Sequence, residues 1–96
     1  MGNIRFVWDD RKARSNLAKH GISFEEAQTV FLDEDARLID DPDHSEGEER
    51  FVILGYSLRA KCLIVSHCYR DEESVIRLIS ARPATKQEER SYRDFL

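Results

Sequence analysis

Three stretches in the second half of the chain, "RFVILGYSL" from residue 50, "CLIVSHCYR" from residue 62 and "SVIRLISAR" from residue 74, are almost unbroken runs of apolar and β-branched residues. Runs of this length bounded by turn residues read as strands, since an amphipathic helix would interleave polar positions at a 3.6 period. The Leu58 to Lys61 link between the first two has the length of a hairpin loop. The acidic "DEE" turns the second run into the third, and Pro83 ends the third because it has no amide hydrogen to give a ladder. Consecutive strands joined by short turns commit the chain to an antiparallel sheet.

The remaining segments add one strand at the front, one short strand, and helices. "NIRFVWDD" alternates Ile4, Phe6 and Trp8 with Arg5 and Val7, the period of a half-buried first strand. Asp9 or Asp10 can cap a following helix, with Ala13 and Leu17 one turn apart on its inner side. Lys19 and His20 fall where the helix dipole favours cations, and Gly21 supplies a left-handed closing residue. Ser23 with Glu26 fits a capping box, and Phe24, Ala27, Val30 and Phe31 recur on one face of a second helix. A short strand at Arg37 to Asp40 runs into a Pro, Gly and acid-rich loop. Thr85 with Glu88 opens a final helix to about Phe95. The order is β-α-α-β-β-β-β-α over one predicted domain, residues 1–96. That is an α+β fold, with the helices expected on one face of the antiparallel sheet and the other face open to solvent or a partner.

Hydrophobic residues make up 41% of the chain and charged ones 35%, the balance of a folded domain. No run of 18 apolar residues exists, and "MGNIRFVWDD" lacks a signal peptide's apolar stretch, so the expectation is a cytoplasmic protein that does not engage a membrane. Cys62 and Cys68, six strand steps apart, would lie roughly 20 Å from each other, beyond the ~7 Å Cα separation a disulfide spans. With no CxxC pair, they read as reduced thiols rather than zinc ligands.

The net charge of −4 hides a segregation: residues 1–24 carry +3, residues 25–49 carry −10, residues 50–70 carry +4 with no acid at all, and residues 71–96 carry −1. A wholly cationic segment can attract polyanions even in an acidic protein; the blocks can equally neutralise one another. Arg77 and Arg82, five residues apart, belong on opposite faces of a regular strand. Each can tie down a structural carboxylate or wait for a phosphate. His67 and Tyr69 share one side of their strand, and Arg77 from the neighbouring strand would complete a site if it shared that side.

The combination "FVWDDRKARSNLAKHGISFEEAQTVF", "DDPDHSEGEERFVILGYS" and "RLISARPATKQEERSY" resembles the BrnT family of bacterial toxins across nearly the whole chain. The resemblance implies a RelE-like α+β fold and an endoribonuclease that halts translation. It also implies a ribbon-helix-helix antitoxin of the BrnA type, through which alone the toxin would reach DNA. RNA cleavage without a metal needs a base for the ribose hydroxyl, cationic donors for the phosphorane and an acid for the departing oxygen. Arginine suits the second task because its planar fork stays charged and donates in pairs to phosphate. On this reading the catalytic candidates are Arg77, Arg82, His44, His67 and Tyr69, and the RNA-binding candidates are Arg50, Arg70 and Lys19. His44 lies among acids that would raise its pKa, which suits a proton donor; His20 is most simply a helix-end cation. The acidic block 25–49 would recognise a basic segment of the antitoxin.

No cofactor is expected. The oxygen-rich "DDPDHSEGEE" fails the calcium-loop pattern, because Glu46 and Val52 stand where Gly and Glu are required counting from Asp41. Two other classes remain beside the nuclease. Helices joined through "HGIS" look superficially like a helix-turn-helix, although the second begins with acids that the DNA backbone would repel. A non-catalytic module using its open sheet face for a protein partner is the other.

Overall fold

The computed structural model describes residues 3–40, 49–70 and 74–96. Along the chain come β1 (Arg5–Val7), α1 (Asp10–His20), α2 (Phe24–Ala27) continued by a 3-10 turn (Gln28–Leu32), β2 (Arg37–Asp40), β3 (Phe51–Tyr56), β4 (Cys62–Arg70), β5 (Val75–Pro83) and α3 (Lys86–Asp94). The five strands form one sheet in the order β1-β5-β4-β3-β2. Four of them are antiparallel in succession, but β1 lies parallel to β5, so the sheet is mixed rather than purely antiparallel. β1 and β5 are the first and last strands of the chain, with α1, α2 and three strands between them, so their parallel pairing needs no tight turn, whereas β2 to β5 follow one another and pair antiparallel.

Most local signals for helix ends are realised; at Ser23 only half of the capping box forms, since Ser23 accepts from the Glu26 amide while the Glu26 carboxylate accepts from Ser57 Oγ. Asp9 accepts from the Lys12 amide at 3.0 Å, and Gly21 adopts φ 74° with its amide on the Leu17 carbonyl. Thr85 and Glu88 form a reciprocal capping box. The second helix differs: it is α-helical for four residues only and then tightens, too short to act as the recognition element of a helix-turn-helix.

The inner side of α1 also differs from the expected pairing of Ala13 with Leu17. Leu17 is half exposed, and the buried residue is Asn16. Its amide donates to the carbonyls of Ile22 (2.9 Å) and Ala81 (2.8 Å), and its oxygen accepts from the Ala81 amide (3.0 Å). β1 pairs only with Val75–Arg77. Beyond its end the backbone of β5 would be left open on that side, and a side-chain amide stands in for the missing strand.

Two cores result. Phe24, Ala27 and Val30 pack with Ile53, Leu63, Val65, Ile76, Leu78 and Ala81 on one face of the sheet. On the opposite face Tyr92 of α3 packs with Val52, Leu54 and Ile64. The helices are therefore not all on one face: α3 crosses to the side expected to be open, because its single inward aromatic finds the alternate residues of β3 and β4. The Asp33 carboxylate helps fix it, with Oδ2 accepting from the Tyr56 amide (2.8 Å) and the Tyr92 hydroxyl (2.7 Å). Burial opposes charge on Asp33, but these bonds and one from the Asp35 amide outweigh it and hold the carboxyl below its usual pKa. Gly55 makes room, since a Cβ there would sit 2.9 Å from both Ala36 Cβ and Asp33 Oδ2.

Candidate nucleic-acid interface

The pairing of β4 with β5 decides which side chains meet. From Ile64↔Arg82 to Ser66↔Ser80 the register is regular, and it resumes at His67↔Leu78, Cys68↔Arg77 and Arg70↔Val75. Ile79 is the extra residue of a bulge. A bulge shifts the strand by one and so exchanges its faces. Arg77 and Arg82, which a regular strand would place on opposite sides, therefore emerge on the same side, in line with Ile64, Ser66, Cys68 and Arg70. Ile76, Leu78 and Ala81 keep to the helix-covered core.

Other strands add to this face. Arg5 of β1 aligns with Val75, and Val7 with Arg77. Arg37 aligns with Leu54 on β3, and its guanidinium lies 3.5 Å over the Phe95 ring with a hydrogen bond to Ser91 Oγ at 3.1 Å. Arg50, one residue before β3, continues the alternation of Val52 and Leu54. The face that carries α3 thus gathers Arg5, Arg37, Arg50, Arg70, Arg77 and Arg82 from all five strands or their ends.

The arginines differ in what holds them. Arg82 makes a two-pronged contact with Glu88, 2.9 Å on each arm. That contact, chiefly, pulls the Glu88 carboxyl down to about 2. Arg77 is half-buried and makes no hydrogen bond or ion pair among the described residues. A guanidinium without an internal carboxylate, on a sheet face that gathers other arginines, is arranged to receive an anion.

His67 and Tyr69 lie elsewhere. With Leu63 and Val65 they face the helix-covered core, so the expected grouping of His67, Tyr69 and Arg77 on one face does not form; Arg77 stands opposite Cys68 instead. His67 is fully buried, ringed by Phe31, Phe51 and Tyr69 with centroids at 4.8, 6.3 and 5.3 Å. Its Nδ1 donates to the Val65 carbonyl at 3.2 Å, which leaves Nε2 buried without a partner. Burial pushes its pKa down. Tyr69 is half-buried against Phe51. Lys19 is exposed in the last turn of α1, in the helical layer. His44 lies outside the described residues. Cys62 and Cys68 are both free, and burial raises the Cys62 thiol to about 11, so it stays protonated.

The family of ribonuclease toxins called BrnT, of type II toxin-antitoxin systems, has a model that matches residues 8–88. The chain belongs to that family. The crystal structure of the Brucella abortus ribonuclease toxin BrnT, solved at 1.1 Å, superposes with a TM-score of 0.66 at 20% sequence identity, covering 88% of this chain and all of that one. At this identity the likeness is one of fold. No curated protein matches the sequence. Among the described residues no helix is long and apolar enough to cross a membrane.

In this BrnT family member, four of the six arginines on the face, Arg50, Arg70, Arg77 and Arg82, are candidates on the sequence alone, and strand alternation carries a signal for Arg5 and Arg37 as well. The bulge also brings Ser66 and Ser80 side by side between Arg82 and Arg77, a juxtaposition with no local signal.

Proposed function

We propose that this BrnT-family chain is an endoribonuclease, cleaving RNA without a metal ion on the arginine-bearing face of its sheet and thereby halting translation. The observation that carries the reading is Arg77: a cation set on the sheet by a bulge, with no internal partner among the described residues. A family whose members are ribonuclease toxins supplies the chemistry that such a cation would serve. In this reading Arg77 is the leading ligand of the scissile phosphate and holds the charge that develops on it. Arg82, held in orientation by Glu88, stands behind it, and Arg50 and Arg70 guide the strand. His67 is sealed in the core, so the proton donor we retain is His44. Tyr69 and Lys19 would contribute only by contacts reaching around the sheet edge.

We further read the fold as RelE-like, the domain as spanning the whole of residues 1–96, the location as cytoplasmic, and the partner as a BrnA-like ribbon-helix-helix antitoxin that carries the complex to DNA. The acidic block 25–49 would meet a basic segment of that antitoxin. The test is incubation of purified protein with a long RNA in excess chelator. New 3′ ends mapped by primer extension are expected; intact RNA at protein excess would refute the nuclease, and cleavage only with added divalent cation would refute its metal independence.

A further inference from the structure

We infer that Ser66 and Ser80 form a hydroxyl pair that binds a phosphodiester oxygen beside Arg77, an inference that rests on the same face being the RNA site. The two residues are direct cross-strand partners on β4 and β5. Cβ atoms of such a pair stand about 5 Å apart, so both hydroxyls can converge on one tetrahedral group. The neighbouring positions on this face are Arg82 on one side and Arg77 on the other, set two strand steps and one bulge away.

Two further features single the pair out. Both serines are half-buried, yet neither hydroxyl makes a hydrogen bond among the described residues, and neither is among the buried polar atoms left without a partner. The oxygens therefore reach solvent. The flanking positions of the same face, Ile64, Val52 and Cys68, are buried and apolar or thiol-bearing. Polar side chains at the middle of a long central strand, open to solvent and unused by the fold, are placed for a ligand. Arginine brings charge and reach, whereas short hydroxyls on rigid strands fix position, and together they distinguish a seated phosphate from a loosely attracted one.

Charge separates the two contributions. A bound arginine releases counterions from the nucleic acid, and a neutral hydroxyl releases none. The probe is a short 2′-O-methyl oligoribonucleotide, which binds but is not cleaved, titrated against full-length protein over a salt series. Ser66→Ala/Ser80→Ala is expected to weaken binding by at least about tenfold, the loss of even one hydrogen bond to a charged acceptor, with the slope of log affinity against log salt unchanged. Arg77→Ala should lower that slope by about 1. Ser80→Thr keeps a hydroxyl and should bind like the wild type, and it pairs with Ser80→Ala if the double variant does not fold. Binding by Ser66→Ala/Ser80→Ala within twofold of wild type, or a serine effect that Thr does not rescue, overturns the inference. Wild-type protein that binds the oligonucleotide through the serines yet cleaves no RNA would leave the hydroxyl site standing and remove the nuclease.

Discussion

Truncating Asn16 to alanine removes three hydrogen bonds at once and exposes how β5 is held. The amide spans 2.8–3.0 Å contacts to Ile22 and to both backbone groups of Ala81, and the residue is 7% exposed. Three backbone groups would be left without partners in a site that water reaches poorly. Each such orphan costs about 1–3 kcal/mol, and carbonyls with a second lone pair fall at the low end, giving a loss of about 3–5 kcal/mol in total. A domain of this size has about 5–15 kcal/mol of stability, so much of it disappears. At about 4–8 °C per kcal/mol, the melting temperature should drop by at least ~12 °C. Urea unfolding followed by circular dichroism measures the loss directly. Asn16→Asp is the sharper comparison: it keeps the acceptor for the Ala81 amide but turns a carboxylate oxygen on two carbonyls, and should be no more stable than Asn16→Ala. A loss under ~1 kcal/mol for Asn16→Ala, or an Asn16→Asp protein as stable as wild type, would show that the side chain is not replacing a strand.

Further outcomes follow from the same contacts. Gly55→Ala forces a methyl to 2.9 Å from Ala36 and Asp33, and should destabilise by about 1–3 kcal/mol, seen as a lower urea midpoint and weaker protection of the α3 amides from exchange. His67 has a folded-state pKa below its ordinary value of 6.5, so the unfolded chain takes up a proton more readily. Its contribution to stability is complete above pH ~6.5 and is lost as pH falls through that value, by at most ~1.4 kcal/mol per pH unit; urea midpoints at pH 7.5 and 5.5 should differ less in His67→Phe than in wild type. Glu88 has a pKa lowered to about 2 from 4.5, so its stabilisation is present above pH ~4.5 and fades toward pH 2. Because Arg82 is 40% and Glu88 32% exposed, solvent screens the pair. Glu88→Gln should cost only about 1 kcal/mol at pH 7 while flattening the acid limb of a melting-temperature profile.

What the sequence shows and what it hides have separate physical causes. Helix caps at Asp9, Ser23 and Thr85, the left-handed Gly21 and the stop at Pro83 are set by residues within four positions, and each is found where the local chemistry places it. The faces of β5 are not local. The bulge at Ile79 has no glycine to announce it, and alternation read through it assigns Ser80 and Arg82 to the wrong side. The side of the sheet chosen by α3 depends on where Tyr92 finds a hollow between Val52, Leu54 and Ile64, a contact across 28 or more positions. Asn16 reads as an ordinary polar helix residue until the short length of β1 is known. For the candidate site, residue type alone singles out arginines, but which of them share a face depends on the bulge, and the grouping of Arg77 with His67 and Tyr69 does not form because of one inserted residue.

The most direct measurement compares the loss of one arginine on each side of the sheet. Arg77→Ala and Arg14→Ala remove the same charge, but Arg14 is exposed on α1 in the helical layer. Steady-state cleavage of a defined RNA should fall by about 10²–10³ in kcat/KM for Arg77→Ala, the cost of removing one donor to a developing phosphorane, and stay within about twofold for Arg14→Ala. Equal losses in the two variants, or full activity in Arg77→Ala, would place the chemistry somewhere other than the bulged face.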